Sequence, residues 1–271
     1  MPFGRFLALD IVSTILAAVR TVLACTAVSL YVFLVGPPVL LWSICSRRTG
    51  LLYAAGATGV RLGFLLAGLR LVVSGREHMP AGGAVYACNH TSNVDAPSIF
   101  LALEPLFPRV RVLYKAELRK LPVLVWAFDV AGFVPLERAN QAQSRPAVER
   151  AAAAVQDGNV FFIFPEGTRS RTQELLPFKK GGFIMAITAQ APIVPVFITG
   201  GRQAMRKGSP LIWPTTIAVR FLPPVPTAGW TFEDRDLAIA AVRDALSGAA
   251  GQSSGDGPQA PDPARAGRAA G

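Results

Sequence analysis

Histidine and cysteine are scarce in this 271-residue chain, which has only His78 and His90 of the first and Cys25, Cys45 and Cys88 of the second. With no CxxC pair and no HExxH, nothing in the sequence supplies the nitrogen and sulfur ligands of a dedicated metal site. The three cysteines have no paired spacing, which argues against a disulfide framework and fits a reducing compartment. Charge is also thin. Charged residues make up 16%, and 27 Lys and Arg outnumber 17 Asp and Glu for a net charge of +10. The basic residues are scattered among apolar segments. No Lys/Arg-rich tract alternates with aromatics, so an anionic lipid surface fits the charge better than nucleic acid does.

What is abundant is apolar. Hydrophobic residues reach 51% and the mean hydropathy is +0.39, with the excess concentrated before Val73. Thr21 to Cys45 carries no charged residue and is bounded by Arg20 and by Arg47 and Arg48. About 20 apolar residues suffice to cross a bilayer. Gly36-Pro37-Pro38 interrupts the run, so a kinked span and a re-entrant hairpin are both compatible with it. A cleaved signal peptide fits less well, because Asp10 and Arg20 break the usual order of charge and apolarity. From Leu51 to Val73 apolar residues continue with Arg61 and Arg70 among them. This reads as a helix at the membrane interface or as a core helix. If the first segment spans, the arginines after it place the following domain in the cytoplasm at the cell membrane.

Beyond Val73 the chain alternates short apolar runs with helical stretches. Ala84–Cys88, Arg109–Tyr114, Asn159–Phe164, Ile193–Ile198 and 217–222 read as strands. Leu121–Val130, Ser144–Gln156 and Gly181–Gln190 read as helices, and Thr231 with Asp234 resembles a capping box for a last helix over Glu233–Leu246. Such alternation predicts an α/β sandwich with a largely parallel central sheet flanked by helices. The expected organisation is a membrane-associated helical segment over 1–73, a catalytic domain over 74–246 and a disordered Gly/Ser/Ala/Pro-rich tail over 247–271.

Two segments carry chemistry. In Asn89-His90-Thr91-Ser92-Asn93-Val94-Asp95 a strand gives way to a loop and then a helix start, so His90 and Asp95 can fold back within hydrogen-bond reach. A neutral imidazole with a carboxylate on its second nitrogen is a general base. Taken alone, the spacing fits a structural histidine equally well. In Phe164-Pro165-Glu166-Gly167-Thr168-Arg169-Ser170 a buried strand ends at a proline and presents a carboxylate, a glycine, hydroxyls and an arginine. Gly167 permits close backbone approach, and Arg169 offers a planar fork suited to phosphate. Arg171, Lys179 and Lys180 follow, with Gly181-Gly182 at a helix start. Cys88 shares a strand face with His90 and is a conceivable nucleophile, but a packed small residue is the simpler reading. Asn89-His90-Thr91 also fits the N-glycosylation pattern, which a glycan beside the proposed base makes a false match.

Together these segments resemble the glycerolipid acyltransferase superfamily, in particular the 1-acylglycerol-3-phosphate acyltransferases. The resemblance runs through four ordered blocks from about Gly75 to Leu222. They are His90 with Asp95; Gly132-Phe133-Val134-Pro135-Leu136-Glu137-Arg138; Phe164 to Ser170, residue for residue; and Val194-Pro195-Val196. Lys115-Ala116-Glu117-Leu118 looks like the lysine-containing segment between the first two. The second block departs from the family's more usual isoleucine and aspartate with Leu136 and Glu137.

The resemblance implies direct transfer of a fatty acyl group from acyl-CoA or acyl-carrier protein to the free hydroxyl of lysophosphatidic acid, with no cofactor. His90 and Asp95 would be the catalytic pair. Lys115, Arg138, Glu166, Gly167, Thr168, Arg169 and Pro195 would form the substrate-binding set. Within it, Glu166 would orient Arg169 or the loop backbone, and Pro195 would shape a pocket wall. Another lysolipid or glycerol-3-phosphate as acceptor, a lipid or thioester hydrolase, and a non-catalytic membrane adaptor are the rival readings.

Overall fold

The computed structural model describes residues 3–120, 122–136, 141–172 and 174–255. Two helices come first, α1 (Phe3–Ser46) and α2 (Gly50–Ala67), packed against each other as an antiparallel hairpin. Tyr31 donates to the Ala55 carbonyl at 3.0 Å, and glycines of α2 let α1 approach at Tyr31 and Val28. The chain then runs β1 (Leu69–Ser74), β2 (Ala84–Cys88), α3 (Asp95–Ala102), β3 (Val110–Lys115), α4 (Pro122–Val130), β4 (Val134–Leu136), α5 (Gln141–Gln156) and β5 (Val160–Ile163). It ends with α6 (Gly181–Thr188), β6 (Ile193–Thr199), α7 (Gly201–Ala204), β7 (Thr215–Phe221) and α8 (Arg235–Gly255).

Seven strands form one sheet in the order β1-β7-β6-β2-β5-β3-β4. Every pairing is parallel except β6 with β7. The strands at its centre are apolar on both faces because both faces are covered. Along β2, Ala84, Tyr86 and Cys88 join one core with α2 and α3, while Val85 and Ala87 join a second core with α5, α6 and α8. β5 alternates in the same way, with Val160 and Phe162 on the first face and Phe161 and Ile163 on the second. The result is the expected α/β sandwich.

Three boundaries differ from the sequence expectation, each for a physical reason. The apolar run from Leu51 to Val73 is a helix only to Ala67. Gly68 adopts φ 74 and donates its N–H to the last helical carbonyls, a glycine C-cap. Beyond it Leu69, Leu71 and Val73 alternate with outward Arg70 and Val72 as strand β1, paired with β7. At the N-terminus the double proline does not end α1. Val39 and Leu40, directly after it, are buried, and their burial offsets the missing backbone donors. The chain reverses instead at Arg47–Thr49, where Arg47 takes φ 54. Last, α8 continues past Leu246 to Gly255, so residues 247–255 are helix and not tail. Ala249 is buried, and Arg220 of β7 reaches the Ala249 carbonyl and the Gln252 side chain. Residues 256–271 lie outside the described residues.

Candidate active site

Parallel strands converge their C-terminal ends on one edge of a sheet, and loops there collect functional groups. β2 delivers His90 two residues past its end, and β5 delivers Glu166 three residues past its own. Asn89 binds these levels together. Its side-chain amide accepts from Ile198 N–H at 2.6 Å and donates to Ile198 C=O at 2.9 Å, joining the ends of β2 and β6. Both of its amide groups are used and it is buried, so no glycan can be carried there.

Asp95 opens α3, and the loop before it folds back so that His90 Nδ1 lies 3.1 Å from Asp95 Oδ2. The same oxygen accepts the backbone N–H groups of Thr91 and Ser92, each at 2.7 Å. A carboxylate oxygen can only accept, so Nδ1 carries the ring proton and Nε2 keeps a free lone pair. Asp95 is fully buried. The imidazole, with 17% of its side chain exposed, stacks on Phe164 with ring centroids 4.1 Å apart and planes 20° apart. Two contacts hold its backbone: His90 N–H donates to Glu166 Oε1 at 2.7 Å, and His90 C=O accepts from Ser170 N–H at 2.8 Å. The imidazole is therefore fixed in tautomer, plane and position.

Of the two roles expected of Glu166, orienting Arg169 or the loop backbone, its contacts are with the backbone. Its second oxygen accepts from Leu176 N–H at 3.0 Å, and the residue is 3% exposed. Both oxygens accept backbone N–H groups. Burial pushes its carboxyl above the usual range, countered by the Leu176 and His90 N–H groups. What Glu166 orients is His90 itself.

The loop after Glu166 turns tightly, with Gly167 N–H on Phe164 C=O and Gly167 at φ 69. A side chain at 167 would be strained there and would meet the Lys179 stem at 3.4 Å. Thr168 is exposed and Arg169 half-buried. Lys207 reaches across to donate to the Arg169 carbonyl at 2.8 Å and lies 3.4 Å from Thr168 Oγ1. Lys180 is turned away, paired with Asp236 of α8 at 3.4 Å. Among the described residues no carboxylate pairs with Arg169, Lys179 or Lys207. Basic groups gathered beside a glycine turn can take an anionic group such as a phosphate.

The remaining expected residues are placed as follows. Pro195 is buried within β6 in register with Ala87 of β2. Lys115 ends β3, paired with Leu136 of β4. Arg138 lies outside the described residues. Cys88 is wholly buried on the first core face. Burial pushes its thiol well up, and the Asp95 charge adds to this, so it is packing and not a nucleophile. Lys207, Gly201 and the Leu176 N–H escaped the sequence reading. Only the Gly200-Gly201 pair left a signal, because adjacent glycines after a strand mark close backbone approach.

A family model described as Acyltransferase matches residues 70–199, which contain both halves of this site. Over 204 residues the chain is 34% identical to a 1-acyl-sn-glycerol-3-phosphate acyltransferase of Limnanthes douglasii, an alignment covering 75% of this chain and 70% of that one. It is 36% identical over 194 residues to the protein of the same name from Cocos nucifera, covering 71% of this chain and 61% of that protein. To the alpha form from Homo sapiens it is 32% identical over 184 residues, covering 67% and 64% respectively. Among solved structures, the crystal structure of the 1-acyl-sn-glycerophosphate (LPA) acyltransferase PlsC from Thermotoga maritima superposes with a TM-score of 0.72. That match covers 86% of this chain and 95% of that one, and at 23% identity it speaks to the fold.

Proposed function

Because this chain belongs to the 1-acyl-sn-glycerol-3-phosphate acyltransferases, we propose that it acylates the free hydroxyl of lysophosphatidic acid to give phosphatidic acid, with His90 as the base. One observation carries the assignment of the base: His90 Nδ1 is engaged by Asp95 Oδ2 at 3.1 Å, which leaves Nε2 for substrate.

The chemistry follows from that tautomer. Nε2 takes the proton of the acceptor hydroxyl as its oxygen attacks the carbonyl carbon of an acyl thioester. The thioester C–S bond then breaks, and the imidazolium returns the proton to the departing thiolate. Asp95 stabilises the imidazolium between these steps. No covalent acyl-enzyme is needed, in keeping with a buried Cys88. Arg169, with Lys179 beside the Gly167 turn, holds the acceptor phosphate; a guanidinium fork suits it geometrically. The donor is an acyl thioester carried on CoA or on acyl-carrier protein.

The N-terminal hairpin supplies membrane attachment. At 44 residues α1 is roughly 66 Å long, twice the ~30 Å hydrocarbon core. Its N-terminal half is docked on the domain through Thr21, whose hydroxyl accepts from Ile212 N–H at 2.9 Å, while Ile11, Ile15, Val19, Val22 and Leu23 remain exposed. The C-terminal half exposes Phe33, Leu34, Leu41 and Trp42. Arg47 and Arg48 lie at the hairpin turn and Arg70 at the opposite end of α2. A hairpin crossing fully would part these arginines across the bilayer. One lying in the interface plane along the cytoplasmic leaflet keeps both sets at headgroup level.

The deciding experiment is acyl transfer from acyl-CoA to lysophosphatidic acid by purified membranes carrying wild type or His90→Ala. Phosphatidic acid from wild type, reduced about 10²–10⁴-fold in the variant, is the expected result. Free fatty acid without phosphatidic acid would make the chain a hydrolase, and an equally active variant would remove His90 as the base.

A further inference from the structure

We propose that the turn from Gly200 to Lys207, directly after β6, is a positioning element of the site. At one end it seats the carboxylate that orients His90, and at the other the loop that faces the acceptor phosphate. The inference rests on the His90 and Arg169 roles above and adds residues that none of the sequence blocks contains.

At the first end the contact is steric. A Cβ built on Gly201 would lie 2.1 Å from Asp95 Oδ1 and 3.2 Å from Ser92 Cβ. Asp95 Oδ1 is buried and has no hydrogen-bond partner among the described residues, whereas Oδ2 accepts three N–H groups. Hydrogen bonds thus fix one oxygen of the carboxylate, and the bare backbone of Gly201 walls in the other. Gly201 cannot drift, because Gly200, at φ 82, packs its backbone onto Thr216 of β7 so closely that a Cβ there would stand 2.1 Å from the Thr216 carbonyl oxygen. Ser92 Oγ donates to Met205 C=O at 2.8 Å, closing the turn onto the loop between His90 and Asp95.

At the second end the contact is polar. Lys207 Nζ donates to Arg169 C=O at 2.8 Å and approaches Thr168 Oγ1 at 3.4 Å. It spans from the turn to the loop that presents Arg169, holding that loop's backbone and adding a positive charge beside it. This short stretch of chain therefore sets the distance between base and phosphate ligand. Mutual placement at this level matters, since an error of about 1 Å costs on the order of 10²-fold in rate.

The test is a pair of double-mutant cycles in the full-length membrane-bound protein, read as kcat and as separate KM values for lysophosphatidic acid and acyl-CoA. Lys207→Met should raise the KM for lysophosphatidic acid about tenfold, with kcat and the donor KM within a few-fold. Combined with Arg169→Met it should add no further penalty, and Lys207→Arg should restore most of the loss. Gly201→Ala should lower kcat about 10²-fold with little change in KM, and should add nothing to Asp95→Asn. Non-additivity is the signature of action through a shared partner. Additive penalties in both cycles, or an unchanged acceptor KM in Lys207→Met, overturn the proposal. Should Gly201→Ala fail to fold, the half-exposed Lys207 decides through its own cycle. If wild type makes no phosphatidic acid, the functional reading itself fails. Equilibrium binding of lysophosphatidic acid to wild type and Lys207→Met then decides, and equal binding overturns the inference.

Discussion

Asp95 receives three N–H groups on one oxygen, while Glu166 divides two backbone N–H groups between its two oxygens. Both carboxylates are buried. Asp95 acts on the imidazole ring of His90, and Glu166 acts on the backbone from which that ring hangs. The raised carboxyl of Glu166 makes its role measurable. A folded-state value above the unfolded one means that the folded protein binds the proton more tightly. This group's contribution to stability is therefore fully present below the ordinary value of 4.5 and is lost as pH rises through the raised one. Thermal unfolding of wild type and Glu166→Gln across mildly acidic pH should show wild type losing ground to the variant as pH rises. A gain for wild type over the same range would mean that the two N–H groups outweigh burial. Because the Glu166→Gln substitution sets an amide N–H₂ against one of those N–H groups, kcat should fall as well, through displacement of His90.

At the scale of elements, the hairpin is joined to the sheet by a few polar contacts among many apolar ones. Tyr53 of α2 is buried against Phe107 and Phe100. Its hydroxyl donates to the Val110 carbonyl of β3 and accepts from Arg111 Nη1 at 2.8 Å. Arg61 of α2 pairs with Glu104, and both are about half exposed, so little stability is expected from that pair. Tyr53→Phe keeps the ring and removes one of the two donors on the Val110 carbonyl, leaving Arg111 Nη1 at 3.1 Å, which costs about 0.5–1.5 kcal/mol. Denaturant unfolding should show that loss with an unchanged m-value, whereas Glu104→Gln should change stability by less than about 1 kcal/mol. If the two effects were reversed, the surface ion pair would be what docks α2.

For the whole molecule, the N-terminal helices expose large apolar side chains beside a basic domain. Phe33 is 74% and Trp42 56% exposed on α1, and Leu65 is 76% exposed on α2. Large apolar side chains exposed on two packed helices need a lipid or protein cover. Burying a large apolar side chain contributes about 1.5–3 kcal/mol. Replacing Phe33 and Trp42 with serine should therefore weaken binding to vesicles containing anionic lipid by on the order of 10²-fold or more. The domain's thermal unfolding should not change, since neither side chain is in either core. Co-sedimentation of the variant equal to that of wild type would place the membrane contact elsewhere on the chain.

The sequence by itself determined the class of fold, five of the seven strands and the two loops of the site. Those are local properties: apolar runs of strand length, a glycine after a helix, and a histidine, a carboxylate and an arginine next to strand ends. It placed His90, Asp95, Gly167 and Arg169 at the site because each sits within a few residues of such an end. It misread Leu69–Val73 as helix, because an apolar run split by a glycine has no decisive period until a partner strand appears. It stopped the last helix early, because Gly and Ser weaken helical propensity locally while the anchor, Arg220, lies on another element. The pairing of Glu166 with His90 spans 76 residues and that of Lys207 with Arg169 spans 38. Contacts at such separations leave no periodicity in the chain. Only the closing of the sheet, with β6 beside β2 and β7 turned antiparallel against β6, brought the Gly200–Lys207 turn under Asp95 and across to the loop that carries Arg169.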